Sequence, residues 1–210
     1  MDLNERYKNA GWLNAETGSI YSVDDLRHVQ YNLPPYSSIL LFAGTKSNIP
    51  ENLLSKPEPT VYKAEVVLSI NQWDVQSGTT TVKDTSLFDW RESARFKYSS
   101  EEGLYKSSFV IDKMEPSATY LIDLGKVCFT AEVLINDKLI GHRIFSPYSL
   151  DITKSVTSGK NSIEIKVTSS QLNGFIGEAF RGNKNFNMFK GKQNDLMSAG
   201  LIGPVNILKQ

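Results

Sequence analysis

The sequence predicts an all-β protein, a β-sandwich preceded by a few strands of a partial β-domain. Apolar and polar residues alternate with a period of two along several short stretches, which is typical of strands that bury one face. Turn-forming residues separate these stretches at short intervals, which favours antiparallel connections. No stretch carries a helical pattern longer than about two turns, so a parallel sheet with helical crossovers is disfavoured.

The strongest alternation lies between Tyr62 and Ile70, where every second residue is apolar. The same pattern returns in four later stretches, which we predict to be strands of one sandwich. Their inward-facing residues are Tyr105, Phe109 and Ile111; Tyr120, Ile122 and Leu124; Ala131, Val133 and Ile135; and Ile163, Ile165 and Val167.

The chain is predicted to divide near residues 46–60, which are polar, contain three prolines and indicate a linker. Residues 61–210 would form the sandwich. Residues 1–45 hold only short candidate strands, at Gly11–Leu13, Gly18–Tyr21 and Ser38–Phe42, which are too few for a core of their own. We interpret them as the terminal strands of a preceding β-domain, or as strands that dock onto the sandwich.

Composition limits the classes of partner. The 210 residues include 23 basic and 23 acidic side chains with no basic run, so neither nucleic acid nor an anionic membrane is an expected partner. No apolar stretch approaches the roughly 20 residues that span a bilayer, and the polar segment Met1–Lys8 does not resemble a signal peptide.

Short motifs follow one another in a recognisable order from residue 120 onward. They are Leu121-Ile122-Asp123-Leu124-Gly125; Val133-Leu134-Ile135-Asn136-Asp137; Pro147-Tyr148 followed by Asp151-Ile152-Thr153; Gly159, Asn161, Ile163, Ile165 and Val167; and Ser198-Ala199-Gly200-Leu201-Ile202-Gly203-Pro204-Val205, like a closing strand. A Leu33-Pro34-Pro35-Tyr36-Ser37-Ser38 stretch lies upstream.

In this order the motifs resemble the galactose-binding-like jelly roll of glycoside hydrolases, most of all the C-terminal end of family 106 α-L-rhamnosidases. They are also similar to the sugar-binding domain of family 2 enzymes. The resemblance covers nearly the whole chain. It departs at Asn136-Asp137, where the family's hairpin has Asn-Gly, but aspartate also accepts a left-handed backbone, so the turn is expected to survive.

The resemblance implies a non-catalytic module that binds carbohydrate beside the catalytic domain of a polysaccharide-degrading enzyme. That catalytic domain would lie upstream in the same polypeptide, so no activity is expected of this chain alone. A structural spacer that packs on a catalytic domain and binds no glycan is the alternative. We expect secretion or a periplasmic location as part of a larger exported enzyme, with any signal peptide outside this chain.

Proteins bind sugars through the faces of aromatic rings and through planar polar side chains. Loops that carry both kinds of side chain are therefore the candidate binding sites. The segment Gln171–Met197 combines phenylalanines with amides and is predicted to be a long irregular loop. The alternative for its aromatic residues, and for Trp90, is packing in the core. We predict that the ligand-binding residues are Trp90, Arg91, Asn173, Arg181, Asn183 and Asn185.

No catalytic or metal-binding residues are predicted. Asp89 is interpreted as a surface or turn residue and Asp151 as a strand-end acceptor of backbone hydrogen bonds. His142 is expected on an exposed strand, and Cys128 is expected to be a buried structural thiol. No cofactor is expected, although a structural calcium ion held by backbone carbonyls and an acid remains an open alternative.

Overall fold

The computed structural model describes residues 2, 6–14, 18–23, 25–29, 38–45, 54–55 and 64–210. The chain divides into two compact units, residues 1–62 and 63–210. The first contains a four-stranded sheet of order β3-β1-β2-β4. Its strands are β1 (Asn9–Leu13), β2 (Ile20–Ser22), β3 (Leu40–Gly44) and β4 (Leu54–Ser55).

Three of these strands overlap the stretches in which the sequence predicts them. The fourth, β4, lies within the predicted linker 46–60 and pairs in parallel with β2. The rest of that linker, the segment 33–37 and Tyr62 lie outside the described residues. The domain boundaries therefore stay a prediction.

The second unit contains twelve strands and one α-helix, α1 (Leu172–Phe180). The strands are β5 (Glu65–Ile70), β6 (Trp73–Ser77), β7 (Thr80–Thr85), β8 (Gly103–Ile111), β9 (Tyr120–Asp123), β10 (Lys126–Cys128), β11 (Thr130–Ile135), β12 (Lys138–Arg143), β13 (Ser149–Asp151), β14 (Gly159–Thr168), β15 (Gly200–Gly203) and β16 (Val205–Lys209).

These strands form an antiparallel sandwich. A six-stranded sheet has the order β12-β11-β14-β8-β6-β7, a four-stranded sheet has the order β13-β9-β16-β5, and β10 pairs with β15. All pairings between these strands are antiparallel. The prediction of an all-β jelly-roll sandwich is confirmed.

The alternating residues build the core of the sandwich. On the central strands β8, β11 and β14, the predicted inward-facing side chains are almost fully buried, and Val133, Ile135 and Ile165 are completely so. Their polar neighbours in sequence point to the other face because side chains alternate along a strand. By contrast, Val66 and Val67 on β5 are exposed, because β5 lies at the edge of its sheet.

The hairpin between β11 and β12 forms as expected without the family's glycine. Asn136 and Asp137 have φ values of 50° and 61°. Ile135 pairs directly with Lys138, so only these two residues make the turn. Two successive left-handed residues match the right-handed twist of the flanking strands, and asparagine and aspartate tolerate them best after glycine.

The expectation of one closing strand over residues 198–205 is wrong. That segment contributes to two strands, β15 beside β10 and β16 between β5 and β9. The break falls at Gly203, whose φ is 76°, followed by Pro204. Proline has no N–H to donate to a ladder, so the chain leaves one sheet and enters the other there.

The expectation of an irregular loop at Gln171–Met197 is also wrong. The segment contains the nine-residue helix α1 and two 3-10 helices, Lys184–Phe189 and Gln193–Asp195. Glycines at positions 174 and 177 weaken the helical signal, because glycine is a poor helix former. Among the described residues, no helix has the length and apolar character of a membrane span.

Candidate functional site

A groove lies where α1 faces the segment 93–101 and the turn between β6 and β7. It consists of two adjoining depressions with volumes of about 300 and 270 Å³. Tyr98, Ser99, Glu101 and Arg181 line both depressions. We call this feature the α1 groove.

Two glycines set how closely α1 approaches the segment beneath it. A Cβ atom at Gly174 would lie 2.5 Å from Ser100 Cβ, and one at Gly177 would lie 2.6 Å from Tyr98 Cβ. Residues three apart share one face of a helix, so both glycines face the same segment. Larger side chains there would push α1 away and change the width of the groove.

The side chain of Asn173 joins the two ends of the segment Gln171–Met197 by hydrogen bonds. Its Nδ2 donates to Met197 O over 2.8 Å, and its Oδ1 accepts from Met197 N over 2.9 Å. The side chain is 1% exposed. A second tie joins Gln171 Nε2 to Ser100 O over 3.0 Å. The Gln171–Ser100 bond holds the start of α1 against the opposite wall of the groove, and the Asn173 bonds hold α1 to the end of the helical segment.

Aromatic rings gather at α1 outside the main core. The ring of Phe175 lies 5.4 Å from both Phe186 and Phe189, and Tyr98 stacks on Phe180 at 5.5 Å between centroids. Phe175 and Phe180 are still 37% and 62% exposed. The phenylalanines therefore pack mainly on one another and on Tyr98, and they leave apolar ring surface open to solvent beside the groove.

Glu178 organises the polar side of α1. Its Oε1 accepts a hydrogen bond from Arg181 Nη2, and its Oε2 accepts one from Asn183 Nδ2 over 2.9 Å. The hydrogen bond from Arg181, followed by that from Asn183, lowers the pKa of Glu178. The carboxylate therefore stays ionised near neutral pH, and it holds the guanidinium of Arg181 at the groove.

Glu101 and Arg95 differ from this pair because neither has an ion-pair partner among the described residues. Glu101 lies against the β6–β7 turn, where a Cβ atom at Gly78 would be 2.5 Å from Glu101 Oε2. Arg95 lines the second depression. The groove thus presents a carboxylate and a guanidinium whose hydrogen-bonding capacity is available to a ligand.

Two of the predicted ligand residues lie away from the groove. Trp90 is completely buried, and its ring packs on Phe96 and Tyr105 with centroids 5.3 and 6.2 Å away. Its ring has no surface open to a sugar. The prediction that Trp90 binds the ligand is therefore wrong, and Trp90 is a core residue. Arg91 is exposed, and its Nη2 lies 3.3 Å from Asp89 Oδ2.

The other four predicted residues all belong to the α1 region, but only Arg181 lines the groove. Asn173 is buried and fully engaged with Met197. Asn183 accepts from the backbone N–H of Asn185 over 3.1 Å and begins the 3-10 helix that follows. The side chains of Asn173 and Asn183 therefore make hydrogen bonds within the protein. The composition of the segment does not reveal whether an asparagine bonds to its own chain or to a ligand.

Sequence reasoning missed Tyr98, Glu101 and Arg95. Their segment has no alternation and no cluster of amides, so it resembles an ordinary connection. No local pattern singles these residues out, because they meet Arg181 only in the folded chain.

Asp89 has a structural role. Its Oδ1 accepts from Arg91 N over 2.9 Å and from Ala199 N over 3.1 Å. Burial tends to raise the pKa of Asp89, but hydrogen bonds from Ser198, Arg91 and Ala199 together lower it. An acid held ionised in this way anchors the chain before β15 and is poorly suited to donate a proton.

The other single residues lie as predicted. Asp151 Oδ1 accepts from Thr153 N over 2.8 Å, and His142 is an exposed residue of β12 near Glu132. Cys128 is buried, and burial raises the pKa of its thiol. Within the described residues, no three His, Cys, Asp or Glu side chains converge as metal ligands.

Comparison with known proteins decides the family. A family model described as the galactose-binding domain-like region of glycosyl hydrolase 2 matches residues 80–197, more than half of the chain. The chain belongs to this family. The domain contains the segment 93–101 and α1, so both long walls of the groove lie within the matched region.

Two longer proteins are similar to the domain. A protein of Formosa agariphila named "Putative beta-glucuronidase" is 29% identical over 205 residues, which cover 79% of this chain and 18% of that protein. A rhamnosidase structure from Novosphingobium sp. PP1Y has a TM-score of 0.73 at 23% identity and covers 97% of this chain and 20% of its own. The chain spans about a fifth of the length of each.

Proposed function

We propose that the chain is a non-catalytic carbohydrate-binding module of a larger, exported, polysaccharide-degrading glycoside hydrolase, and that the α1 groove holds the sugar. The observation that carries this proposal is the combination in one groove of the exposed ring of Phe175 with Glu101 and Arg95, which have no ion-pair partners among the described residues. The family assignment supports a domain of the sugar-binding type.

The chemistry of the groove suits a sugar. The partly exposed ring of Phe175 offers an apolar face for the C–H surface of a pyranose, whereas the ring of Tyr98 is stacked on Phe180 and has Lys97 Nζ 5.1 Å from its centroid. Carboxylate and guanidinium groups bind the hydroxyls of the sugar. The volume of the first depression, about 300 Å³, lies at the lower end of the range for small-molecule sites. A ligand that is only partly enclosed is consistent with recognition of one section of a longer glycan.

The groove is poorly suited to hydrolysis. Glycoside hydrolases use two facing carboxyl groups, and the acid that protonates the leaving group needs a raised pKa. The carboxylates lining the groove are Glu101 and Glu178. The pKa of Glu178 is lowered by Arg181 and Asn183, which opposes a role as proton donor. This supports a binding role here and hydrolysis elsewhere in the parent enzyme.

The test is calorimetric titration with 1,4-linked galacto-oligosaccharides and with mixed rhamnose–glucuronate oligosaccharides. Glu101→Gln keeps the shape against Gly78 but removes the charge, so we expect at least about tenfold weaker binding, because hydrogen bonds to charged groups contribute about 1.5–3 kcal/mol. Lys106→Ala is the matched control. Lys106 is an exposed cation paired with Glu164 at 3.0 Å that does not line the groove.

Saturable binding by the wild type and by the Lys106→Ala variant, weakened in the Glu101→Gln variant, supports the proposal. Failure to bind either series would favour a structural spacer. Hydrolysis of nitrophenyl glycosides by the purified chain would overturn the non-catalytic part of the proposal.

A further inference from the structure

We infer that the α1 groove holds at least two consecutive units of a linear oligosaccharide, in two subsites, and does not select a single terminal sugar. This inference rests on the proposed function. It starts from the shape of the groove, which is two depressions that share one wall made by Tyr98, Ser99, Glu101 and Arg181.

The two depressions extend from this shared wall to different parts of the fold. The first continues to Gly174, Phe175 and Phe186 at α1 and the 3-10 helix that follows it. The second continues to Arg95 and to the turn between β6 and β7, residues 77–80. A ligand that contacts both Phe175 and Arg95 must therefore extend through both depressions.

The two ends also differ in chemistry. Phe175 and Phe186 give the first depression an aromatic wall with their rings 5.4 Å apart. The second depression has hydroxyl and backbone groups of the β6–β7 turn, and the guanidinium of Arg95 has no carboxylate partner among the described residues. Both depressions expose more polar than apolar surface, so both subsites would bind a sugar mainly through hydrogen bonds, and the first would add a contact with the ring of Phe175.

Exposed side chains lie at both ends of the groove, although the buried Ser77 also lines the second depression. Phe175 is 37% exposed at one end, and Thr79 and Arg95 are exposed at the other. A chain could therefore continue beyond the groove in both directions, as an internal section of a polysaccharide requires. The shared residues Glu101 and Arg181 lie where the two sugar units would meet, so they would contact both.

The experiment compares Kd values for one, two, three and four units of the same 1,4-linked galacto-oligosaccharide series and of the rhamnose–glucuronate series. For a series that binds, we expect at least about a tenfold gain in affinity between one unit and two or three units, then a plateau. Arg95→Ala should reduce the affinity for longer oligosaccharides by about tenfold and the affinity for one unit by a smaller factor. Glu101→Gln should weaken binding at every length, and Lys106→Ala at none.

The outcomes separate this inference from the proposed function. If one unit binds as tightly as three and Glu101→Gln weakens both, the groove binds sugar but has a single subsite, and the inference is wrong. The same conclusion follows if Arg95→Ala leaves the affinity at every length unchanged. If neither series binds, the proposed function fails, and the inference fails with it.

Discussion

Asn136 donates a hydrogen bond from Nδ2 to Oδ1 of Asn161 over 2.9 Å, joining two residues that are 25 positions apart. Asn161 is completely buried and also binds Thr157, whose N–H donates to Oδ1 over 2.9 Å and whose carbonyl accepts from Nδ2 over 2.8 Å. These asparagines belong to two separate motifs of the sequence. The hydrogen bond therefore joins the two motifs in the folded chain.

Asn161→Ala should lower the free energy of unfolding by about 3 kcal/mol, because it leaves several buried backbone and side-chain groups without partners. Chemical denaturation measures the change. Asn194→Ala is the control. Asn194 is an exposed asparagine, and its substitution should change stability by less than about 0.5 kcal/mol. Equal effects of the two substitutions would show that the Asn136–Asn161 contact is not structurally important.

Trp90→Ala should lower the free energy of unfolding by about 3–5 kcal/mol, because the indole is completely buried against Phe96 and Tyr105. The milder Trp90→Phe should keep the fold and leave sugar affinity within about twofold of wild type. Denaturation and calorimetry together measure both effects. Loss of binding by a stably folded Trp90→Phe variant would return Trp90 to the ligand site.

Asn173→Ala should loosen the α1 region, because both hydrogen bonds to Met197 disappear from a buried position. We expect faster amide hydrogen exchange in α1 while exchange in β8 and β14 is unchanged, together with weaker sugar binding. Asn187→Ala is a control on the same segment, because Asn187 is exposed. Unchanged hydrogen exchange in α1 would mean that the hydrogen bonds between Asn173 and Met197 do not keep α1 in place beside the groove.

Asp89 should contribute to acid stability. Its pKa is held below its ordinary value of 3.8, so the folded state favours the ionised carboxylate. The stabilisation is therefore present above about pH 4 and is lost as the pH falls through the lowered pKa. Asp89→Asn should be less stable than wild type at pH 6, and the difference should shrink towards pH 2 in denaturant titrations. A constant difference across that range would contradict the assigned ionisation.

The sandwich could be predicted from the sequence because its determinants are local. Alternation sets which face of each strand is buried, and residues such as Asn136 and Asp137 adopt the φ values of a tight turn within two positions. Positions in the predicted core such as Val133 and Ile165 are completely buried in the structure. The break at Pro204 shows the limit, since a motif reveals a strand-like segment but not which sheet each half joins.

The groove could not be predicted because it depends on contacts between distant segments. Tyr98 and Phe180 are far apart in sequence, and their rings stack only because Gly174 and Gly177 let α1 approach. The same glycines weaken the helical signal that would have placed α1 there. The amides of the segment were predicted to bind a ligand, yet the side chain of Asn173 is bonded to Met197 at the other end of the same segment.

The most direct measurement is a titration of the ¹⁵N-labelled chain with a rhamnose–glucuronate or galacto-oligosaccharide of three units, followed by amide chemical shifts. Binding in the α1 groove predicts that the largest shifts fall at the amides of Gly78, Ser99, Ser100, Gly174 and Arg181, which line it. Shifts that fall elsewhere, such as around Lys166 on the outer face of the six-stranded sheet, or no shifts at saturating ligand, would contradict the assignment of the groove as the carbohydrate site.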